Sequence, residues 1–272
     1  MKRFSFWSIT LLLITLTVFT VNRRSAAEKS APERKPVTLV SQPEKPALSK
    51  TELFDNYLVE TYTRMGLSKA GLDLDVFRKA VTGFYNLKDS GKLNESKNVI
   101  SIADFTKKSR NKRLWIVDLA QEKLLFHTYV THGKNSGGDL PTDFSNTPNS
   151  EQSSLGFYIA NEIYFGKHGM SLKLDGMDEG FNTNARHRAV VVHGASYANP
   201  KVIGQLGRLG RSQGCPALPE ELTKPIIETI KGRTVLFIHG GDASYTSDYL
   251  NQEYAAEKFS ASLPEATAAT TI

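Results

Sequence analysis

Cys215 is the only cysteine among 272 residues, so it has no disulfide partner within its own chain. Three states are open to it: a buried free thiol, half of an intermolecular bridge, or a working thiolate. Its neighbours favour the last. Gly207-Arg208-Leu209-Gly210-Arg211-Ser212-Gln213-Gly214-Cys215-Pro216-Ala217 reads as a loop in which three glycines permit tight turns and Pro216 fixes the chain just past the sulfur. A cysteine that only fills a core belongs inside an apolar strand or helix. Here Arg211 stands close by in sequence, and a positive charge lowers a thiol pKa from its free value of about 8.5.

A thiolate that attacks an amide also needs a proton acceptor and donors for the oxyanion. The backbone N–H groups of Gly214 and Cys215 are the candidate donors. His193 is the best placed base, because the run Arg-Ala-Val-Val-Val at 188–192 suits a buried strand that would hold the ring at a loop mouth. His187 lies in a polar stretch and reads as exposed. His132, His168 and His239, each followed by glycine, read as structural when taken singly; Arg211 alone reads as a surface charge and Ser212 alone as a loop-capping hydroxyl. Zinc held by Cys215 and two histidines is disfavoured, since neither His-Glu-x-x-His nor Cys-x-x-Cys spacing occurs.

The elements that must carry these residues begin after a leader. Lys2 and Arg3 precede a charge-free apolar stretch from Phe4 to Asn22, followed by Ser25-Ala26-Ala27. This is the layout of a signal peptide cleaved after residue 27 or, left uncleaved, of an inner-membrane anchor; either places the chain in the periplasm or cell envelope. Residues 28–50 carry four prolines among polar residues and read as a disordered linker. Leu53, Phe54, Tyr57, Leu58, Thr61, Tyr62 and Met65 recur at helical spacing, as do Val76, Phe77, Ala80, Phe84 and Leu87, predicting a helical hairpin within 51–97 that packs on the main domain. Residues 114–119 and 123–130 predict a β-hairpin, 132–156 a long loop, 221–231 a helix with Pro225 in its first turn, and 234–238 a buried strand. The tail, 241–272, reads as largely disordered with one helix near 249–259.

Charge excludes one class of partner. The formal net charge is +6, but Lys2, Arg3, Arg23 and Arg24 supply four of the positive charges and no acid precedes Glu28, so cleavage leaves +2. The basic run Lys107, Lys108, Arg110, Lys112 and Arg113 has no interleaved aromatic platform and reads as a solvated loop, so nucleic acid is not expected.

Taken in order, His193-Gly194 and Arg211-Ser212-Gln213-Gly214-Cys215-Pro216 resemble the signature of YkuD-like L,D-transpeptidase catalytic domains, in which a histidine is followed by a Ser-His-Gly-Cys box. The closer resemblance is to a divergent branch whose box reads Gly-Arg-Ser-x-Gly-Cys-Pro-Ala, here Gly210 to Ala217. It extends through residues 132–137, 144–146, 153–158, 164–172 and 180–182, and covers roughly 98–240. The resemblance implies a mainly β fold of two packed mixed sheets with a short helix near the cysteine. It implies Cys215 as nucleophile, His193 as base, and the carbonyl of Gly194 as the base's partner. The second histidine of the common box is Gln213 here, which cannot titrate near neutrality but can donate a hydrogen bond. Pro216 and Ala217 replace the arginine or asparagine common after the cysteine, leaving Arg211 or Arg208 to bind a substrate carboxylate. Ser212, Gln213 and Tyr164 would line the substrate cleft, and His168 would orient the base or line the cleft.

The implied substrate is a peptidoglycan stem peptide, cleaved after the L-centre of its diamino acid. An amine acceptor makes the enzyme a transpeptidase and water makes it an L,D-carboxypeptidase; a catalytically idle wall-binding protein is the third reading. A cysteine enzyme needs neither metal nor organic cofactor for this chemistry.

Overall fold

The computed structural model describes residues 47–263. The leader expected at 1–27, nearly all of the linker, and the last nine residues of the tail lie outside the described residues. Among the described residues no helix is long and apolar enough to cross a membrane.

In chain order the elements are α1 (Lys50–Arg64), α2 (Leu74–Asp89), β1 (Val99–Asp104), β2 (Leu114–Asp118), β3 (Lys123–Thr128), β4 (Gly156–Gly166), β5 (Gly169–Gly176), β6 (Val191–Gly194), α3 (Lys201–Leu206), β7 (Ala217–Leu218), α4 (Glu220–Ile230), β8 (Thr234–His239) and α5 (Gln252–Ser262). The strands form one eight-stranded sheet in the order β3-β2-β1-β8-β4-β5-β6-β7. The pairs β1–β8 and β6–β7 are parallel and the other five are antiparallel.

This corrects the expected mainly β fold of two packed mixed sheets. There is a single mixed sheet, and helices cover it on both sides. The reason lies in the strands themselves. In β1, Ile100 and Ile102 join the apolar cluster built with α1, α2 and α5, while Val99 and Ala103 join the cluster built with α4. Alternate residues of a strand point to opposite faces, so a strand covered on both faces reads as a continuous apolar run. Such a run does not reveal whether a second sheet or a helix covers it.

The N-terminal hairpin is part of a three-helix layer. Ser49 and Glu52 form a capping box that starts α1, and the Asp73 side chain caps α2. Phe259 of α5 stacks on Tyr57 at 4.5 Å between ring centroids and tilts against Phe54 at 5.4 Å. Asn86 of α2 donates to the carbonyls of Tyr249 and Asn251, tying the segment before α5 to the layer. The tail is therefore structured through Leu263. At Gly83, α2 comes so close to the sheet that a Cβ would lie 2.1 Å from the Phe157 ring. Glycine inside a helix costs about 0.5–1 kcal/mol relative to alanine, and here it permits the contact.

Two further local features differ from expectation. Pro225 is the sixth residue of α4, past the first turn. The basic run is not a solvated loop throughout: Arg113 is fully buried, donating to the Val130 and Lys107 carbonyls and lying over the Phe105 ring.

Strands β4 and β5 position the site most directly. β4 pairs with β8 only over Gly156–Ala160, yet it continues to Gly166, so the β4–β5 hairpin overhangs the sheet. At its far end Ser171 pairs with His193 of β6.

Candidate active site

His193 lies on β6, and Cys215 lies in the loop that leads into the adjacent parallel strand β7. His193 is in register with Ala217 of β7, and Cys215 lies two residues before Ala217. With a rise of about 3.3 Å per residue, the cysteine backbone sits roughly 7 Å back along the sheet, beside the start of β6. Its Sγ donates to the carbonyl of Ala189 at 3.6 Å. Ala189 holds a left-handed φ of 52°, a conformation uncommon for a residue with a Cβ. That turn delivers the chain into β6.

His193 is buried, and its Nδ1 lies 2.9 Å from the carbonyl oxygen of Gly194. A carbonyl only accepts, so Nδ1 carries the proton and Nε2 is left as a free acceptor. Burial pulls the His193 pKa below its ordinary value; the Gly194 carbonyl opposes this, and the nearby His168 and Lys167 reinforce it. His168, from the β4–β5 turn, stacks on the His193 ring at 4.2 Å with 24° between planes.

Burial pushes the Cys215 thiol up; the Val191 amide and the charges of Arg188 and Lys167 pull it back without offsetting burial. Both shifts favour the uncharged forms at rest, a thiol at residue 215 and a neutral imidazole at residue 193. The cations near the sulfur are thus Arg188 and Lys167. Arg211, the expected one, donates instead to the carbonyls of Lys134 and Gly137, clamping the turn after His132.

The loop before the sulfur is held by its own hydroxyl. Ser212 Oγ accepts from the Gly214 amide at 3.1 Å and donates to the Cys215 carbonyl at 2.6 Å. Ser212 is buried, so both contacts serve the loop. The Gly214 amide is committed to this bond, whereas the Cys215 amide has no hydrogen-bond partner among the described residues. Gly214 has φ +118°, and a Cβ there would lie 2.7 Å from the Gln152 carbonyl oxygen, so only glycine fits.

Of the remaining sequence candidates, Gln213 is exposed and lies 3.4 Å from Glu151, and Arg208 donates to the carbonyl of Leu209. Tyr164 lines a pocket of about 380 Å³ with Lys173, Arg186 and residues 189–191. Ala189, whose carbonyl the sulfur contacts, is one of its lining residues. A cavity of about 580 Å³ lies among α1, α2 and α5 and is lined by neither cysteine nor histidine.

Arg188, Lys167 and Tyr197 went unassigned in the sequence. Arg188 opens a run whose only sequence signal is its valines. Tyr197, whose phenol burial and the Cys215 charge push up to about 12, lies in a short turn after β6 that carries no motif. Lys167 was legible as the neighbour of His168 at a glycine-flanked turn. Among the described residues no cluster of three His, Cys, Asp or Glu side chains is arranged to hold a metal ion.

Residues 68–239 match the L,D-transpeptidase catalytic domain family (YkuD_2), and the chain belongs to that family. No curated protein matches the sequence. Solved structures similar to the chain include an L,D-transpeptidase from Mycobacterium smegmatis, 13% identical, covering 53% of this chain and 59% of that one with a TM-score of 0.34. The helical cell shape determining protein Pgp2 from Campylobacter jejuni is 12% identical over 65% of this chain and 62% of its own, with a TM-score of 0.39. An L,D-transpeptidase from Mycobacterium tuberculosis H37Rv is 13% identical over 53% and 58%, with a TM-score of 0.31. The chain spans about three fifths of the length of these solved relatives. The family assignment rests on the sequence match.

Proposed function

We propose that the protein is an exported cysteine acyltransferase acting on peptidoglycan stem peptides, with Cys215 as nucleophile and His193 as general base and acid. The observation that carries this reading is the tautomer of His193: with Nδ1–H given to Gly194, the free Nε2 belongs to the strand beside the one that Cys215 leads into. A base presented in this way activates a thiol that burial keeps protonated.

In the first half-reaction the Cys215 proton passes to Nε2 as the sulfur attacks the carbonyl at the L-centre. A C–S bond forms, and the carbonyl π electrons move to oxygen, where the unpartnered Cys215 amide is the candidate donor. Collapse breaks the C–N bond, the imidazolium protonates the departing amine, and a thioester remains. In the second half-reaction an acceptor amine attacks the thioester, His193 takes its proton, and the sulfur leaves and is reprotonated. All the chemistry is proton transfer and acyl exchange.

The test is to incubate the protein with disaccharide tetrapeptides and identify products by mass spectrometry. Dimers joined through two diamino acids support the transferase, whereas tripeptides with free D-alanine indicate that water is the acceptor. His193→Gln should lower turnover by roughly 10²-fold or more, the usual worth of a positioned acid–base group. A near-wild-type rate in that variant, or turnover retained by folded Cys215→Ala, would overturn the reading.

A further inference from the structure

Arg188 is half-buried and anchored by neutral groups alone. Its Nη1 donates to the Ser145 carbonyl at 2.6 Å and to Ser154 Oγ, and its Nη2 to the Gln152 carbonyl at 2.6 Å and Ser150 Oγ at 3.1 Å. It forms no ion pair with any carboxylate among the described residues. The neighbouring Arg186, by contrast, pairs with both Asp175 and Glu162.

A cation withdrawn from water without a counter-charge is unfavourable, so the groups that could supply one decide what Arg188 is for. The acidic groups that feel its charge are the Tyr158 phenol and the Cys215 thiol. Tyr158 is fully buried, donates its O–H to the Ser154 carbonyl, and is pushed far above the range in which a phenol ionises. That leaves the sulfur. Nη2 lies 3.3 Å from the position a Cβ would take on Gly214, the residue just before the cysteine.

We infer that Arg188 is a positioning residue whose guanidinium serves as counter-charge to the Cys215 thiolate while pinning the 145–154 segment against Gly214. Two functions meet in one side chain: the fork holds four oxygens of the loop, and the charge lowers the cost of the ionised sulfur. The inference rests on the reading of Cys215 as nucleophile. The other groups whose charge couples to the sulfur are Lys167 from the β4–β5 turn and Tyr197 after β6; His193 stands on β6 with His168 stacked on it, and Glu151 lies beyond Gln213, paired with Lys134 at 2.7 Å.

The experiment is the pH dependence of Cys215 alkylation by iodoacetamide in the full chain, in which no other cysteine reacts. This reads the sulfur without reference to peptidoglycan. Arg188→Gln, checked for folding by circular dichroism, should move the alkylation midpoint upward by about one pH unit, slowing the reaction about tenfold below the midpoint. Arg188→Lys keeps the charge and loses the fork, so its midpoint should stay near wild type even if its melting temperature falls. A folded Arg188→Gln with an unchanged midpoint overturns the inference. Should the glutamine variant fail to fold, the lysine variant decides, and a midpoint displaced upward by a unit or more would leave Arg188 with a loop-holding role alone. Shifted midpoints in a protein that turns over no stem peptide would refute the proposed function separately.

Discussion

Lowering the pH from 7 to 4 should withdraw about 3 kcal/mol of stability through one residue, His132. Its Nδ1 lies 2.7 Å from Arg113 Nη2, and its Nε2 lies 3.1 Å from the Gly138 carbonyl oxygen. A guanidinium only donates and a carbonyl only accepts, so the ring is held as the neutral Nε2–H tautomer. Burial, reinforced by the Arg113 charge, takes the His132 pKa from 6.5 down to about 4. The unfolded chain therefore binds a proton near pH 6.5 that the folded chain refuses until about 4. The stabilisation is complete above the unfolded value and is lost as pH falls through the folded one, which at 1.36 kcal/mol per unit amounts to about 3 kcal/mol. The assay is urea unfolding of wild type and His132→Gln from pH 7.5 to 4. His127, His193 and His239 shift in the same direction, but they are present in both proteins and cancel in the difference. The stability advantage of wild type should shrink by about 3 kcal/mol across the window; a difference independent of pH would refute the tautomer argument. The consequence reaches the site, because the His132 carbonyl accepts from the Ser212 amide at 2.9 Å.

Other perturbations separate the site from its scaffold. Gly214→Ala forces a Cβ to 2.7 Å from the Gln152 carbonyl at a left-handed φ, so turnover should fall at least tenfold while melting drops by an amount expected from about 1–3 kcal/mol of strain. Gly83→Ala, with its Cβ at 2.1 Å from the Phe157 ring, should destabilise by about 1–3 kcal/mol or more and leave the Cys215 alkylation rate of the folded protein unchanged; a neutral melting temperature would show that α2 does not seat as described. Asp178→Ala removes a carboxylate that accepts from the Phe157 amide, Tyr245 and Ser247, and should cost about 2–4 kcal/mol in denaturant unfolding.

The course of the loop before Cys215 was legible in the sequence because glycines, a proline and a lone cysteine restrict the backbone in ways that can be read locally. The helices of 51–97, the β2–β3 hairpin and the strand leading to His193 were legible from periodicity. What was not legible depended on partners remote in sequence. The β4–β5 hairpin shows in the sequence as a set of short matching segments, although Phe157 to Phe165 followed by the turn between Gly166 and Gly169 carries a hairpin signal. Arg211, near Cys215 in sequence, clamps the turn after His132 instead, and only the fold brings Arg188 to Gly214. The single sheet could not be told from two, because apolar runs record that both faces are covered and are silent about by what.

The central claim, that the Cys215 sulfur carries the acyl group, is tested most directly by acid-quenching the protein during turnover of a disaccharide tetrapeptide and measuring its intact mass, then mapping the adduct by peptide fragmentation. The account predicts an added mass equal to the donor acyl group, on the peptide containing Cys215, which disappears as substrate is exhausted. Products formed at the full rate with no adduct on that peptide, or with the adduct on another residue, would contradict it.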